Sequence, residues 1–357
     1  MKRAQYSQRG PVPQQFIDAV DFELPPLASG QVLIQVLAAP INPSDVLTLT
    51  GGYGILPPLP AVGGNEGVGK VSQLGPDVAS IAIGQTVMLP VGGNEGVGKV
   101  IQLGPDVSTI VVGQTVMLPV GGGTWATHMI GEAKKLMPLP NDADPLQLAM
   151  MTVNPPTASL LLSEFVDLNA GDWVIQNAAN SGVGEYLIQL AKVRGFKTVN
   201  IVRRESAIAE VKIAGGDVVL VDGEGLAKRV ADATGSAAIR LGIDAVGGQA
   251  TDRLAGCLAL GGTLVNYGMM SGEPCLVSAA SFVFRDITLR GFWLALWFRK
   301  AMPDRQSAVF GEIARMIATG KLATRIHATF DIVNIKDAVA AAAAGERSGK
   351  ILVVPKP

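Results

Sequence analysis

Residues 178–184 of this 357-residue chain, AANSGVG, are preceded by WVIQN and followed by EYLIQLAKVRG. A strand that enters a glycine turn and leaves as a helix aims backbone N–H groups and the positive helix end at an anion. The pyrophosphate of a dinucleotide is held in that way. Asn180, Ser181, Gly182, Val183 and Gly184 are the candidate contacts, with Gly182 and Gly184 allowing close approach. Ala179 stands where the strict fingerprint has glycine, so the strand-turn-helix setting carries the assignment more than the letters do. GNEGVG at 64–69, repeated at 93–98, is also glycine-rich, but a strand-and-turn pattern, KVSQLGPDV or KVIQLGPDV, follows each one. These two loops read as tight β-turns.

About 20 residues past the glycine turn, an NAD site places an acidic side chain against the ribose hydroxyls. This chain has Arg203 and Arg204, with Glu205 after them. Guanidinium groups match a 2′-phosphate in charge and geometry, so NADPH is the expected cofactor. Gly247, Tyr267, Gly268 and Met269 fall at or just past the ends of further expected strands, where open α/β sheets bind ligands. A hydride carrier needs a partner group that manages charge on the substrate. Tyr53, one of four tyrosines, lies in the loop GGYG and offers a phenol that can donate a hydrogen bond to a developing negative charge.

The elements that must position these groups change along the chain. QVLIQVLAAP at 31–40 alternates as a strand does, and INPSD turns the chain out of it. Short valine-rich runs broken by Gly-Pro and Pro-Asp then continue to about residue 130, the pattern of a small β-rich domain without helices. From residue 171 strands and helices alternate, as in a parallel sheet with helices on its faces: WVIQNAA, EYLIQLAKVRG, KTVNIVRR, DVVLVD, GIDAVGG, GTLVNYG and ITLRGFW. The tail adds helices at SAVFGEIARMIATGK and IKDAVAAAAAGE and closes on KILVVP. The expected fold class is α/β, a Rossmann-type parallel sheet beside a β-rich domain.

A repeat interrupts the β-rich part. Residues 63–91 recur as 92–120, identical at 24 of 29 positions. A solenoid needs at least three units, so two near-identical copies between unrelated flanks read as a local tandem duplication.

Composition narrows the function classes. With 29 basic and 30 acidic side chains, nothing suggests capture of nucleic acid or of an anionic membrane. No apolar run approaches 18 residues, and MKRAQYSQRGPVPQQF has neither a secretory segment nor a convincing transit peptide, so a cytoplasmic protein is expected. Two scattered cysteines, Cys257 and Cys275, and two histidines, His128 and His327, do not make a structural zinc set, and no metal is expected.

The chain resembles the medium-chain dehydrogenase/reductase superfamily and, within it, the zinc-free 2-enoyl thioester reductases, through AAPINPSD (38–45), GGYGILPPLPAVGGNEGVG (51–69), VNPPTA (153–158), QNAANSGVG (176–184) and LRGFWLALW (289–297). The resemblance runs over nearly the whole chain. NPSD, VNPPTA and the glycine loop are shared with quinone reductases, whereas PAVGGNEGVG and GFWLALW are more specific to the enoyl reductases.

It implies a GroES-like catalytic domain over 1–150, a Rossmann NADPH-binding domain over 151–298 and a return to the catalytic domain over 299–357, with the active site in the cleft. It also implies a homodimer that reduces the double bond of a 2-enoyl-CoA or acyl-carrier-protein thioester in fatty acid synthesis. On this pattern Tyr53 is the catalytic tyrosine, bonding the thioester oxygen and assisting protonation at the α carbon. Asn42 stands where zinc-dependent relatives carry a metal-ligating cysteine and can position substrate; on its own spacing it is also an Asx-turn before Pro43. Glu66 would be a buried structural hydrogen-bonding group. Thr157 would lie beside the nicotinamide or its ribose. Phe292, Trp293 and Leu294 would form an acyl-pocket wall and cofactor-adjacent backbone. A quinone or enone reductase of the same superfamily, and a non-enzymatic NADPH-binding protein, are the alternatives.

Overall fold

The computed structural model describes residues 1–74, 97–99, 113–118, 122–133, 136–137, 139–344 and 347–356. They form two compact units, residues 1–153 with 298–357, and residues 154–297.

The first unit is built on the strand Gln31–Ile41, whose alternate residues Val32, Ile34, Val36 and Ala38 are buried. Its first half pairs with Val68–Leu74 and with His128–Glu132, both antiparallel. Its last residues, Ala39–Ile41, pair with the C-terminal strand Lys350–Val353, which itself runs parallel to Ile326–Phe330. A small sheet of Ile17–Asp21, Lys2–Tyr6 and Ala61–Val62 adds a second layer. The helix Ile335–Ala343 presents Ile335, Ala338, Val339 and Ala342 at helical spacing to a core that includes Tyr6, Ile41, Leu49, Trp125 and Val353.

One element departs from the sequence reading. NPSD does not merely turn the chain; residues Pro43–Thr50 form a helix inside the β-rich region. Asn42 is its N-cap, Pro43 takes the first helical position, and the Asp45 carboxylate returns to the Asn42 backbone N–H at 2.7 Å. Gly51 closes it at φ 88°. The run VLTLT has weak helix propensity and hid a signal that the caps carry.

The duplication is used in part from each copy. The first copy provides Gly63 and Gly64, packed so closely on Trp125 that a Cβ on Gly63 would meet the indole at 2.3 Å, and the strand Val68–Leu74. The second provides the strand Thr115–Met117. Val97–Lys99 lies in the same ladder, where Gly69 faces Gly98 and Lys70 faces Lys99, each residue beside its own repeat equivalent. Val68 and Val97 both face Met117. Glu95 and most of the intervening repeat lie outside the described residues.

The second unit is a six-stranded parallel sheet ordered Val218–Val221, Lys197–Val202, Trp173–Gln176, Leu241–Asp244, Thr263–Asn266 and Thr288–Gly291. Each strand read from the sequence here is present. The order reverses between Trp173–Gln176 and Leu241–Asp244, which makes a topological switch point.

Candidate active site

In the second unit every strand runs the same way, so the segments that follow them collect along one sheet edge. Those segments hold Asn180–Gly184, Arg203 and Arg204, Gly247, Tyr267–Met269 and Phe292–Leu294. The structure therefore brings most of the expected cofactor residues together. Ser181 caps the twelve-residue helix Gly182–Val193 by accepting from the Gly184 N–H at 3.1 Å, and Ala178 takes φ 47° to make the turn. A Cβ on Gly184 would meet the Ala179 carbonyl oxygen at 2.5 Å, so this glycine is required by the chain's own packing. The turn thus has the helix N-terminus and the glycine that a pyrophosphate site needs.

Asp244, fully buried at the end of its strand, holds this edge in shape. It accepts hydrogen bonds from Asn177 Nδ2 (2.6 Å), the Val246 and Gly247 N–H groups, Thr251 Oγ1 (2.7 Å) and Asn266 Nδ2 (3.0 Å). A carboxylate saturated with donors fixes three strand ends at once. Gly247 takes φ 83° beside it. Burial holds the Tyr267 phenol far above its usual pKa, against a hydrogen bond with Ser181 that joins two of the loops.

Arg203 is exposed directly after its strand, and Arg204 caps the short 3-10 turn that begins at Glu205. Phe292 meets Phe165 edge-on at 5.9 Å, and Trp293 stays partly exposed. Thr157 is not on the strand edge. It is buried in the helix Asn154–Leu161, which Arg194 ties to the glycine-loop helix through Ser159 (2.9 Å to the carbonyl oxygen, 2.6 Å to Oγ). Cys257 and Cys275 are free thiols, and burial pushes Cys257 up to about 12, which makes it a poor nucleophile.

The first unit contains a buried polar cluster around Asn42. Asn42 Nδ2 donates to Glu66 Oε1 at 2.5 Å, and Lys350 Nζ donates to Asn42 Oδ1. Glu66 Oε2 accepts from Thr152 Oγ1 at 2.9 Å and from the Val153 N–H at 3.2 Å. Thr124 Oγ1 donates to the Glu66 carbonyl oxygen, and Asn65 Nδ2 donates to Asp45 Oδ1 at 2.6 Å. Burial raises the pKa of Glu66, opposed by Lys350, and pushes Asp45 up to about 7, opposed by the Asn42 N–H. Burial lowers Lys350, against the pull of Glu66 and Asp45. It is therefore the first copy's glutamate that enters this cluster.

Tyr53 lies two residues past Gly51, half-buried, at the opposite end of the Pro43–Thr50 helix from Asn42. Eight residues span roughly 12 Å, so the helix separates the two candidate catalytic residues. Asp45, Thr152 and Lys350 were not singled out from the sequence. Asp45 had a readable signal as the third helical residue after a capping Asn. Lys350 had only its place at the start of a strand buried throughout.

Residues 28–92 match the family Alcohol dehydrogenase GroES-like domain, and residues 182–307 match Zinc-binding dehydrogenase. The first match ends one residue past the first repeat copy. The chain is 37% identical over 300 residues to the mitochondrial enoyl-[acyl-carrier-protein] reductase of Caenorhabditis elegans, covering 83% of this chain and 78% of the relative. A putative NADPH:quinone reductase from Bacillus thuringiensis shares its fold at TM-score 0.82 and 25% identity, over 99% of each chain. A reductase in complex with NADP and crotonyl-CoA superposes at TM-score 0.81 and 24% identity, again over 99% of each.

Two expectations meet these findings. The enoyl-[acyl-carrier-protein] reductases that match this chain from nematode, mammals, frog, plant and slime mould are all mitochondrial, which overturns the cytoplasmic expectation. Zinc, which one family description implies, does not fit. Asn42 presents an amide already held by Lys350 and Glu66, both Glu66 carboxylate oxygens are engaged, and the ammonium already places a cation among the carboxylates. Among the described residues no group of three His, Cys, Asp or Glu could hold a metal ion.

Proposed function

This chain belongs to the enoyl reductases of the medium-chain dehydrogenase/reductase superfamily, and from that premise we propose that it reduces the α,β double bond of a 2-enoyl thioester with NADPH. The observation that carries this reading is the 37% identity to an enoyl-[acyl-carrier-protein] reductase across both units. NADPH supplies the hydride that reaches the β carbon. The helix N-terminus at Ser181–Gly184 holds the pyrophosphate, and Arg203 with Arg204 holds the 2′-phosphate that distinguishes NADPH from NADH. Gly247, Tyr267, Gly268 and Met269, with the backbone at Phe292–Leu294 and with Thr157, line the rest of the cofactor.

Tyr53 donates a hydrogen bond to the thioester oxygen as negative charge develops there and assists transfer of a solvent proton to the α carbon, which with the hydride saturates the double bond. Asn42 caps the start of the helix from whose far end, at Gly51, the Tyr53 loop departs. The acyl carrier, coenzyme A or a carrier protein, presents the same thioester to this site.

The likeness in fold to a putative NADPH:quinone reductase favours one alternative substrate class. Turnover of crotonyl-CoA and of 1,4-benzoquinone by the same preparation with NADPH decides between them. A kcat/KM for the quinone above that for crotonyl-CoA would reject the enoyl thioester reading.

The assembly that fits the second unit is a homodimer. Thr288–Gly291 is the last strand of its sheet, and Val283 and Phe284 just before it are 71% and 78% exposed. An open strand edge flanked by bare apolar side chains favours pairing with a second copy. Light scattering at the monomer mass would refute it.

A further inference from the structure

Asp45, Glu66 and Lys350 are only 2%, 0% and 6% exposed, and the hydride and proton steps do not consume any of them. They come from three separate parts of the chain: the first turn of the Pro43–Thr50 helix, the first repeat copy, and the strand with which the C-terminal segment returns. Lys350 grips the Asn42 amide at its oxygen while Glu66 grips it at its nitrogen. Only one orientation satisfies both partners, because the reversed amide would set its NH₂ against an ammonium and its carbonyl against a carboxylate. Asn42 in turn caps the helix whose far end, at Gly51, begins the Tyr53 loop.

We propose that Lys350 is a positioning residue of the reductase: it locks the Asn42 amide and the helix start, and so sets where the Tyr53 loop stands. This rests on the enoyl reductase reading above and assigns Lys350 no contact with substrate. The charge pattern agrees with it. Burial lowers the Lys350 pKa and Arg347 adds to that, while Glu66 and Asp45 pull it back up, so the lysine is held among groups that it answers electrostatically. Lys350 Nζ keeps an N–H for the Asn42 carbonyl oxygen whether charged or neutral, so the grip on Asn42 rests on the geometry of the pair.

Lys350→Met keeps the length and removes the donor. It is expected to lower kcat for crotonyl-CoA by about 10-fold or more, since small displacements of a reacting group cost that much. The KM for NADPH should stay within about twofold, because the proposed cofactor residues lie in 154–297. Losing the ammonium leaves buried Glu66 without its counter-charge, so the same change is also made in a Glu66→Gln background, where the two charges are removed together. There too kcat should fall about 10-fold relative to Glu66→Gln alone, because Asn42 still lacks its donor. Equal kcat values in that comparison would reduce Lys350 to a charge-balancing role and overturn the proposal.

A second readout needs no substrate. Losses of Tm in Lys350→Met and Asn42→Ala should be non-additive, the double variant losing little more than the worse single one. Additive losses would also overturn the proposal. If the wild type reduces neither crotonyl-CoA nor quinone, the functional reading fails on its own, and the Tm cycle still decides whether Lys350 holds Asn42.

Discussion

Deleting Gly75–Leu103 tests how the duplication is accommodated. Leu103 is the repeat equivalent of Leu74, so joining Leu74 to Gly104 restores one uninterrupted 29-residue unit in a 328-residue chain. The deletion keeps Glu66 against Asn42 and Thr152, Gly63 against Trp125, and the strand Thr115–Met117. It removes Val97–Lys99, but Val68 already faces Met117 without that strand. The connection from Leu74 to Gly113 shrinks from the 38 residues Gly75–Val112 to the nine residues Gly104–Val112.

Closure entropy grows as (3/2)RT ln n, so, taken as a single loop and before counting the pairs lost with Val97–Lys99, the shorter connection favours folding by about 1.3 kcal/mol. In a unit of this size about 1 kcal/mol moves Tm by roughly 2–4 °C, which predicts a rise of roughly 3–5 °C. The check is scanning calorimetry of both chains, with crotonyl-CoA turnover beside it. Deleting residues 63–91 or 92–120 leaves the same unit apart from positions at which the copies differ and should behave alike. A Tm several degrees below the full chain, or a clear loss of kcat, would show that the second unit contributes packing that outweighs its closure entropy.

Three further outcomes are expected. Tyr53→Phe should lower kcat for an enoyl-CoA by about 10- to 1000-fold with NADPH binding nearly unchanged; an unaltered kcat would remove Tyr53 from the mechanism. Arg203→Ala with Arg204→Ala should weaken NADPH much more than NADH, measured as the ratio of their KM values, because only NADPH presents the 2′-phosphate; equal losses would sink the assignment. Asp45, pushed up to about 7 from an ordinary 3.8, holds its proton in the folded chain where the unfolded chain has released it. Its contribution to stability is complete below about pH 3.8 and is lost as pH rises through 7, so Tm should fall less between pH 5 and 8 in Asp45→Asn than in the wild type; parallel Tm–pH curves would contradict the shift.

The cofactor half was legible because it depends on pattern. Strands at WVIQ, TVNIV, VVLV, LGID, TLVN and TLRG are short apolar runs bounded by turns, and a parallel arrangement places whatever follows each of them on one edge. Arg203, Gly247 and Tyr267 could be assigned there without knowing any contact. The substrate half was legible only at Asn42, Tyr53 and Glu66, through resemblance. The helix at Pro43–Thr50 was missed because its cap was read as a turn, and the expected helix-free domain was wrong at this point. Lys350 was invisible for a different reason: a lysine beside SG and before ILVV looks like a solvated strand end. Its burial depends on Glu66 and Asp45, nearly 300 residues away in sequence, and no local period records such a pairing.

The same contrast explains how this chain carries a 29-residue insertion and still presents an intact candidate site. In the second unit the groups proposed to face the pyrophosphate are largely backbone, so the fold need only keep the strand ends in order. In the other unit the buried cluster is mostly side chains, gathered from residues 42–66, 124, 152–153 and 350, and among the described residues none falls between Gly75 and Val112. The repeat enters after the first copy has already delivered Glu66 and Val68–Leu74, and it rejoins the sheet through the second copy's Thr115–Met117. Because the two copies share their glycine and valine pattern, either can complete the ladder, and the site senses only which glutamate arrives beside Asn42. Glu66 is bound there by an amide, a hydroxyl and a backbone N–H that are set by Lys350, Thr152 and Val153, all outside the repeat. The duplication is therefore expected to act on folding energetics more than on chemistry, because among the described residues only Asn65 and Glu66 of this cluster belong to the repeated text.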